Sequence, residues 1–372
     1  MDLSDRLEPV LDSARQSARE VDADGSFPVQ ALDALRRSGL LGLTLPPREG
    51  GLGGGPEDLV EVLSALAAVC GSTAMVYLMH VSAAMAVAAA PPAGHPSLLP
   101  RLASDSLATL AFSEVGSRSH FWAPVSRAGR EGDKIALRAA KSWVTSAGHA
   151  EVYVMSTLAP QADEGAVDLY VVLADSPGVE VAGSWRGLGL RGNASSPMRF
   201  ELLAHDGDRI GEPGGGFDLM LQSVMPWFNV GNAAVSLGLA QAALDATVAH
   251  ASGARFQHTG EGLADLPTIR AQLSRIALDL AMARAYVEKA ARSLAAPDDS
   301  TMLHVLGVKA AANDMALRVT DTAMRVCGGA AFSEHLQLER FFRDARAGHV
   351  MAPTADVLYD FYGKAITGRE LF

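Results

Sequence analysis

Arg343-Asp344-Ala345-Arg346-Ala347-Gly348-His349-Val350-Met351-Ala352-Pro353-Thr354-Ala355-Asp356 joins two segments of helical periodicity and carries the densest run of ionisable residues in an apolar part of the chain. After it, Val357, Leu358, Phe361, Tyr362, Ala365 and Ile366 recur on one helical face. Before it lie three longer stripes: Leu237, Ala240, Gln241, Leu244 and Val248; Ile269 to Leu294; and Leu303, Leu306, Ala310, Leu317 and Met324. Four apolar-faced helices with short connections predict an antiparallel bundle over residues 213–372, starting at Pro213-Gly214-Gly215-Gly216.

Further upstream the period changes from helical to alternating. Ile135 and Leu137 alternate with Lys134 and Arg138, Met198, Phe200 and Leu202 alternate with Arg199 and Glu201, and Leu169 to Leu173 is a short apolar run. Turn signals at Glu131-Gly132-Asp133, Ser176-Pro177-Gly178 and Asp206-Gly207-Asp208 separate these runs, so residues 106–212 read as a small antiparallel sheet domain. Residues 1–105 return to helical spacing, as in Leu3, Leu7, Val10, Leu11 and Ala14 and again in Leu59, Leu63, Leu66 and Cys70. The glycines between Pro46 and Pro56 follow no strand and precede no Gly-Lys-Ser/Thr, which excludes a phosphate loop. The fold class is therefore α+β, mostly α: an N-terminal helical domain, a middle small β-sheet domain and a C-terminal four-helix bundle.

Composition narrows the chemistry. The 372 residues are 49% hydrophobic and 20% charged, enough apolar side chain for a large core. Forty-two acidic against 31 basic residues leave a net charge of −11, which argues against a sequence-independent nucleic-acid binder. Cys70 and Cys327 are too few and too far apart for a disulfide framework or a zinc site, so no metal is expected and a reducing cytoplasm is the default. The acidic, amphipathic start does not read as a secretory signal. Gly71 to Pro100 is uncharged but alanine-rich and includes Ser72, Thr73, His80 and Ser82; a buried helix is predicted, not membrane insertion.

Helices, then a small sheet domain, then a bundle is the order of the acyl-CoA dehydrogenases, and local motifs strengthen the resemblance in the same order. Phe27-Pro28, Leu40-Leu41-Gly42-Leu43-Thr44-Leu45-Pro46 and Gly50-Gly51-Leu52-Gly53 resemble the family's amino-terminal signature. Ala111-Phe112-Ser113-Glu114-Val115-Gly116-Ser117 is similar to its first flavin-binding segment, and Lys141-Ser142-Trp143-Val144-Thr145 to its Lys-x-Trp-Ile-Thr segment. Arg186 to Gly192 resembles the linker strand region, and Arg325-Val326-Cys327-Gly328-Gly329 and Arg343-Asp344-Ala345-Arg346 resemble the two carboxy-terminal marks.

The resemblance implies FAD as cofactor. A flavin is a flat apolar ring system with polar edges, so its site needs short donors along one edge and an aromatic wall. On residue type alone Trp143 reads as a sheet-core aromatic and Ser113 as a turn residue; the resemblance assigns Phe112, Ser113, Ser117, Trp143 and Thr145 to the flavin. It assigns Arg255, Arg325, Gly328 and Gly329 to the dinucleotide tail, partly across a subunit interface, and places Asp356, with Thr354 before it, on the cofactor side. Arginine suits a pyrophosphate through its paired donors, and glycines let backbone N–H groups come close. For Arg325 the alternative is a solvated charge favourable to a helix end. A homodimer or homotetramer follows from the shared site.

In the family a carboxylate takes the α-proton of an acyl thioester while the β-hydride passes to the flavin, and in most members that base is a Glu in a Tyr-Glu-Gly-Thr run after Arg-Asp-Ala-Arg. Aligning Arg346 and Thr354 with that run puts Ala352 at the Glu; a second known placement falls on Phe228 and Asn229. Neither position holds a base. His349 and His80 are the weak candidates that remain, against the plainer reading of each as hydrogen-bonded structure. Three functions stay open: α,β-dehydrogenation of an acyl thioester with a non-standard base, a reduced-flavin-dependent monooxygenase of the same fold, and a non-catalytic flavin-binding partner subunit. The expected partners are a small-molecule or carrier-bound acyl substrate and an electron-transfer protein or flavin reductase.

Overall fold

The structure is a computed structural model that describes residues 2–118, 120–160 and 165–372. The first block holds α1 (Leu3–Asp24), α2 (Val29–Ser38), α3 (Pro56–Val69), α4 (Gly71–Ala89) and α5 (Leu98–Ser104). Asp2 caps α1 by accepting from the Leu3 N–H while Asp5 reaches back to the cap, which satisfies amides that have no partner inside the helix. α4 is apolar on nearly every face and packs against α3, α7 and β1 described below. It is long and apolar enough to cross a membrane, yet 83% of its most apolar window is buried within the fold.

The middle block holds β1 (Ala108–Ala111), β2 (Gly129–Glu131), β3 (Lys134–Val144), β4 (Val152–Leu158), β5 (Val167–Leu173), β6 (Val179–Val181), β7 (Ser196–Ala204) and β8 (Arg209–Ile210). Alternation along β3 and β7 buries Ile135, Leu137, Met198 and Phe200 and leaves Arg138 and Glu201 outside. The single antiparallel sheet expected from the sequence is instead two four-stranded sheets, ordered β1-β4-β5-β8 and β2-β3-β7-β6, and β1 pairs with β4 in parallel. The long excursion from β1 through β2 and β3 makes that parallel return possible.

The last block holds α6 (Gly216–Leu219), α7 (Met225–Gly253), α8 (Pro267–Ala295), α9 (Thr301–Cys327), α10 (Leu338–Val350) and α11 (Ala355–Ile366). α9 is central: it packs on α7, α8, α10 and α11. The four apolar stripes of the sequence are α7, α8, α9 and α11. α10 is additional, and it corrects the reading of residues 343–356 as a charged connection. Its ionisable residues disguise a stripe of Leu338, Phe341 and Ala345 that faces the core. Only Met351 to Thr354 connects it to α11, where Thr354 accepts from the Val357 N–H as the cap.

Candidate active site

Two loops of the sheet domain and the chamber end of the bundle make the site. Along β3 the pairing Lys141 with Met198 jumps to Val144 with Ser196, so Ser142 and Trp143 form a bulge. Trp143 takes φ 57°, in the left-handed region unusual for a bulky residue, and its side chain is 64% exposed with its edge on Trp185 at 5.8 Å between centroids. It is therefore not the sheet-core aromatic that residue type alone suggests. Lys141, one step inward, is fully buried and donates to Glu114 Oε1 at 2.6 Å and to the Ser156 carbonyl at 2.6 Å. Glu114 Oε2 accepts the N–H groups of Val125 and Ser126 at 3.1 and 2.8 Å. Burial alone would raise the Glu114 carboxyl, but Lys141 and Ser126 outweigh it and hold it below its ordinary range. The pair thus ties Phe112–Glu114 to β3 and β4.

Between these loops and the bundle lies a chamber of about 1070 Å³. Phe112, Ser113, Trp143 and Thr145 border it from the sheet domain; Met225 and Phe228 from α7; Met351, Ala352 and Pro353 from the connection before α11. A π turn at Met220–Val224 links α6 to α7 and leads directly into Val224, Met225 and Phe228 on the wall. Thr145 is buried with Oγ1 3.1 Å from Ser195 Oγ, and the Asn193 Oδ1 beside it is buried without a partner. Short hydroxyls, an orphaned amide oxygen and an exposed indole around an apolar space fit a flat ring system with polar edges. The one carboxylate on the wall among the described residues is Glu114, already engaged.

The histidines take other duties. His80 is completely buried; its Nδ1 accepts from the Ala108 N–H at 3.0 Å, so its Nε2 carries the proton donated to the Leu41 carbonyl at 3.1 Å. Burial pushes its pKa down to about 4, and it pins β1 to the amino-terminal helices without reaching the chamber. His349 faces Asp314 on α9 at 3.3 Å, on the side of α10 away from the chamber wall. Ala352 does lie on the wall, with no acidic side chain beside it among the described residues. Ser117 spends its hydroxyl inside its own turn, on the Glu114 backbone at 3.2 Å.

Another group of expected residues lies far from this chamber. Asn229 donates to the Val305 carbonyl, and Cys327 neighbours Thr247, so α7 and α9 run parallel. Arg255, just past α7, and Arg325, Gly328 and Gly329, at the end of α9, therefore share the opposite end of the bundle. Phe228 and Arg255 are about 40 Å apart along the helix at 1.5 Å per residue. Both arginines and both glycines are exposed, and a Cβ built on either glycine meets nothing. Thr354 and exposed Asp356 start α11 outside the chamber.

Two contributors were missed. Lys309 is 0% exposed on α9 and donates to the carbonyls of Gly348, Met351 and Pro353. Its position between Leu306 and Asn313 on the apolar stripe was the available signal. Arg343 bridges α10 to Asp22 of α1 at 2.5 and 2.8 Å and borders the chamber, and only the fold brings these two residues together.

Comparison with known proteins agrees with this architecture. The amino-terminal, middle and carboxy-terminal domain models of acyl-CoA dehydrogenase match residues 8–106, 109–203 and 214–367. The chain is 30% identical over 362 residues to cyclohex-1-ene-1-carbonyl-CoA dehydrogenase of Geobacter metallireducens, covering 95% of this chain and 92% of that one. Butyryl-CoA dehydrogenase from Megasphaera elsdenii shares the fold with a TM-score of 0.91 at 22% identity, over 99% of this chain and 100% of that one. FkbI, of methoxymalonyl extender-unit biosynthesis, has a TM-score of 0.85 at 25% identity, over 98% of this chain and 100% of that one. With matches along its whole length, the chain belongs to the acyl-CoA dehydrogenase family of flavin-dependent oxidoreductases.

Proposed function

We propose that the chain binds FAD and uses it to oxidise an acyl thioester, removing one hydrogen from each of the α and β carbons. The observation that carries this reading is that Phe112, Ser113, Trp143 and Thr145 border the same apolar chamber as Phe228 and Ala352. Ser113 and Thr145 would donate to the ring edge and Trp143 would cover a face. Bound there, the flavin supplies a hydride acceptor. Met225, Phe228 and Met351 would hold the acyl chain and exclude water. Among the described residues this wall holds no free carboxylate, so a basic group of the substrate would take the α-proton. A missing positioned base typically costs about two to four orders of magnitude, which makes a slow turnover or an unusually acidic substrate part of the reading. The named activity of the Geobacter relative supports a CoA thioester.

Arg255, Arg325, Gly328 and Gly329 would hold the dinucleotide tail of a flavin seated in a neighbouring copy, with Thr354 and Asp356 as further cofactor contacts and Ser117 belonging to the segment that holds the chain's own flavin; a homodimer or homotetramer and an electron-accepting partner protein go with this. The apolar Met351-Ala352-Pro353 wall favours a second reading, oxygen insertion by reduced flavin. Holoprotein incubated anaerobically with a panel of acyl-CoA and acyl-carrier-protein thioesters separates the two by mass spectrometry. Thioester lighter by two hydrogens supports dehydrogenation; no change there, but a gain of one oxygen atom with reduced flavin and air, supports the second.

A further inference from the structure

Lys309 lies in the bundle interior with no acidic partner among the described residues, and burial lowers its pKa. Its Nζ donates to the carbonyls of Gly348 at 2.8 Å, Met351 at 3.1 Å and Pro353 at 2.8 Å. Three acceptors engage three N–H donors, which only the ammonium form provides. One turn further along α9, Asn313 Nδ2 donates to Asn232 Oδ1 at 2.9 Å and Ser236 Oγ at 2.8 Å. A Cβ on Gly348 would come within 2.7 Å of Asn313 Nδ2, so α10 rests directly on this polar platform. Gly348 is in the last turn of α10, whose carbonyls lack partners within the helix and attract a cation. Met351, Ala352 and Pro353 themselves border the chamber.

We propose that Lys309 is a positioning residue: its ammonium staples residues 348–353 to α9 and so fixes the inner wall of the chamber, and loss of one proton frees one carbonyl and loosens that wall. The staple does not depend on which reaction the chamber performs. Burial lowers the Lys309 pKa to about 7, which places the loosening in the neutral range. The titratable and charged groups on the elements packed around α9 include His304 and Asp314 on α9 itself, Arg346 and His349 on α10, Asp356, Tyr359 and Tyr362 on α11, and Tyr286 on α8. α7 offers only Asn229, Asn232 and Ser236. Global stability moves the other way. The folded chain releases this proton near pH 7 and the unfolded chain near 10.5, so the cost of burying the charge is relieved as pH rises between them. Loosening is therefore local and is not read by a melting temperature.

Hydrogen exchange of the holoprotein from pH 6 to pH 9, expressed as protection relative to intrinsic rates, reads it. Peptides spanning 346–358 are expected to lose about two- to tenfold protection as one hydrogen bond is lost, while a reference peptide from α8 stays constant. Lys309→Met is expected to be weakly protected at both pH values, and Lys309→Arg well protected at both, because a guanidinium keeps its protons. A flat wild-type profile overturns the proposal without any variant. A step that survives in Lys309→Met, or vanishes in His349→Gln, overturns it too, by assigning the titration to another group.

Discussion

The ion pair of Lys141 and Glu114 is the contact on which the sheet-domain wall of the chamber depends. Both side chains are buried, and removing one partner leaves the other as an uncompensated interior charge, which typically costs about 3–5 kcal/mol. Lys141→Met is expected to lower stability by about that amount in a denaturant titration and to release flavin before the rest of the fold is lost. Glu114→Gln is expected to cost a comparable amount, because one amide oxygen cannot accept from both Lys141 and the Val125 and Ser126 N–H groups and the buried Lys141 charge loses its partner. Asp344 gives a pH-dependent counterpart. Its Oδ1 accepts the Leu190 N–H at 2.6 Å, and burial raises its pKa to about 6, against the pull of Arg340 and Arg343. Between its ordinary 3.8 and 6 the folded chain binds more protons than the unfolded chain, so stability falls as pH rises through that window and the penalty is complete above it. Asp344→Asn keeps an acceptor for Leu190 without the charge. Its stability relative to wild type is expected to improve by about 1–3 kcal/mol between pH 4 and pH 8; an offset that stays constant with pH would show that Asp344 pays no such penalty.

At the scale of elements, the junction of α10 with α9 is the tightest test. Gly348→Ala drives a methyl group into Asn313 and Asn232, and an overpacked core contact of this kind costs about 1–3 kcal/mol. The loss is expected in melting experiments, whereas Gly363→Ala, whose Cβ would meet nothing, is expected to gain up to about 1 kcal/mol from helix propensity. The same junction shows what was legible beforehand. Regular apolar spacing made α7, α8, α9 and α11 readable, because burial of one face is written directly into the sequence. α10 was not readable, because Arg340 and Asp344 occupy its buried face and are compensated by the Val69 carbonyl and the Leu190 N–H, partners from distant segments. Trp143 was assigned to the flavin only by resemblance; its outward aim comes from a two-residue bulge and a left-handed φ that no alternation rule contains. The parallel pairing of β1 with β4 was likewise out of reach, since register between strands separated by an excursion is a tertiary property. At His80 both ring nitrogens are engaged, one by the Ala108 N–H and the other with the Leu41 carbonyl.

The whole molecule separates two sets of residues by the length of its central helices. The chamber sits at one end of α7, and Arg255, Arg325, Gly328 and Gly329 stand exposed at the other. If a neighbouring copy's flavin uses them, Arg325→Ala with Arg255→Ala is expected to lower flavin content severalfold while leaving the melting temperature of the flavin-free protein unchanged. Full flavin content in the double variant would assign those arginines to the solvent. The same geometry sets the limits of the chemistry, because among the described residues the chamber walled by Phe228, Met351 and Ala352 has no carboxylate free to take a proton. The central claim is that this chamber presents an acyl thioester to the flavin. Its most direct test is an anaerobic titration of wild-type holoprotein with acyl-CoA and acyl-carrier-protein thioesters, followed at the oxidised-flavin band at about 450 nm. The account expects at least one thioester to bleach that band with no other reductant present. A band that persists through the whole panel, in protein whose flavin dithionite still reduces, would contradict it.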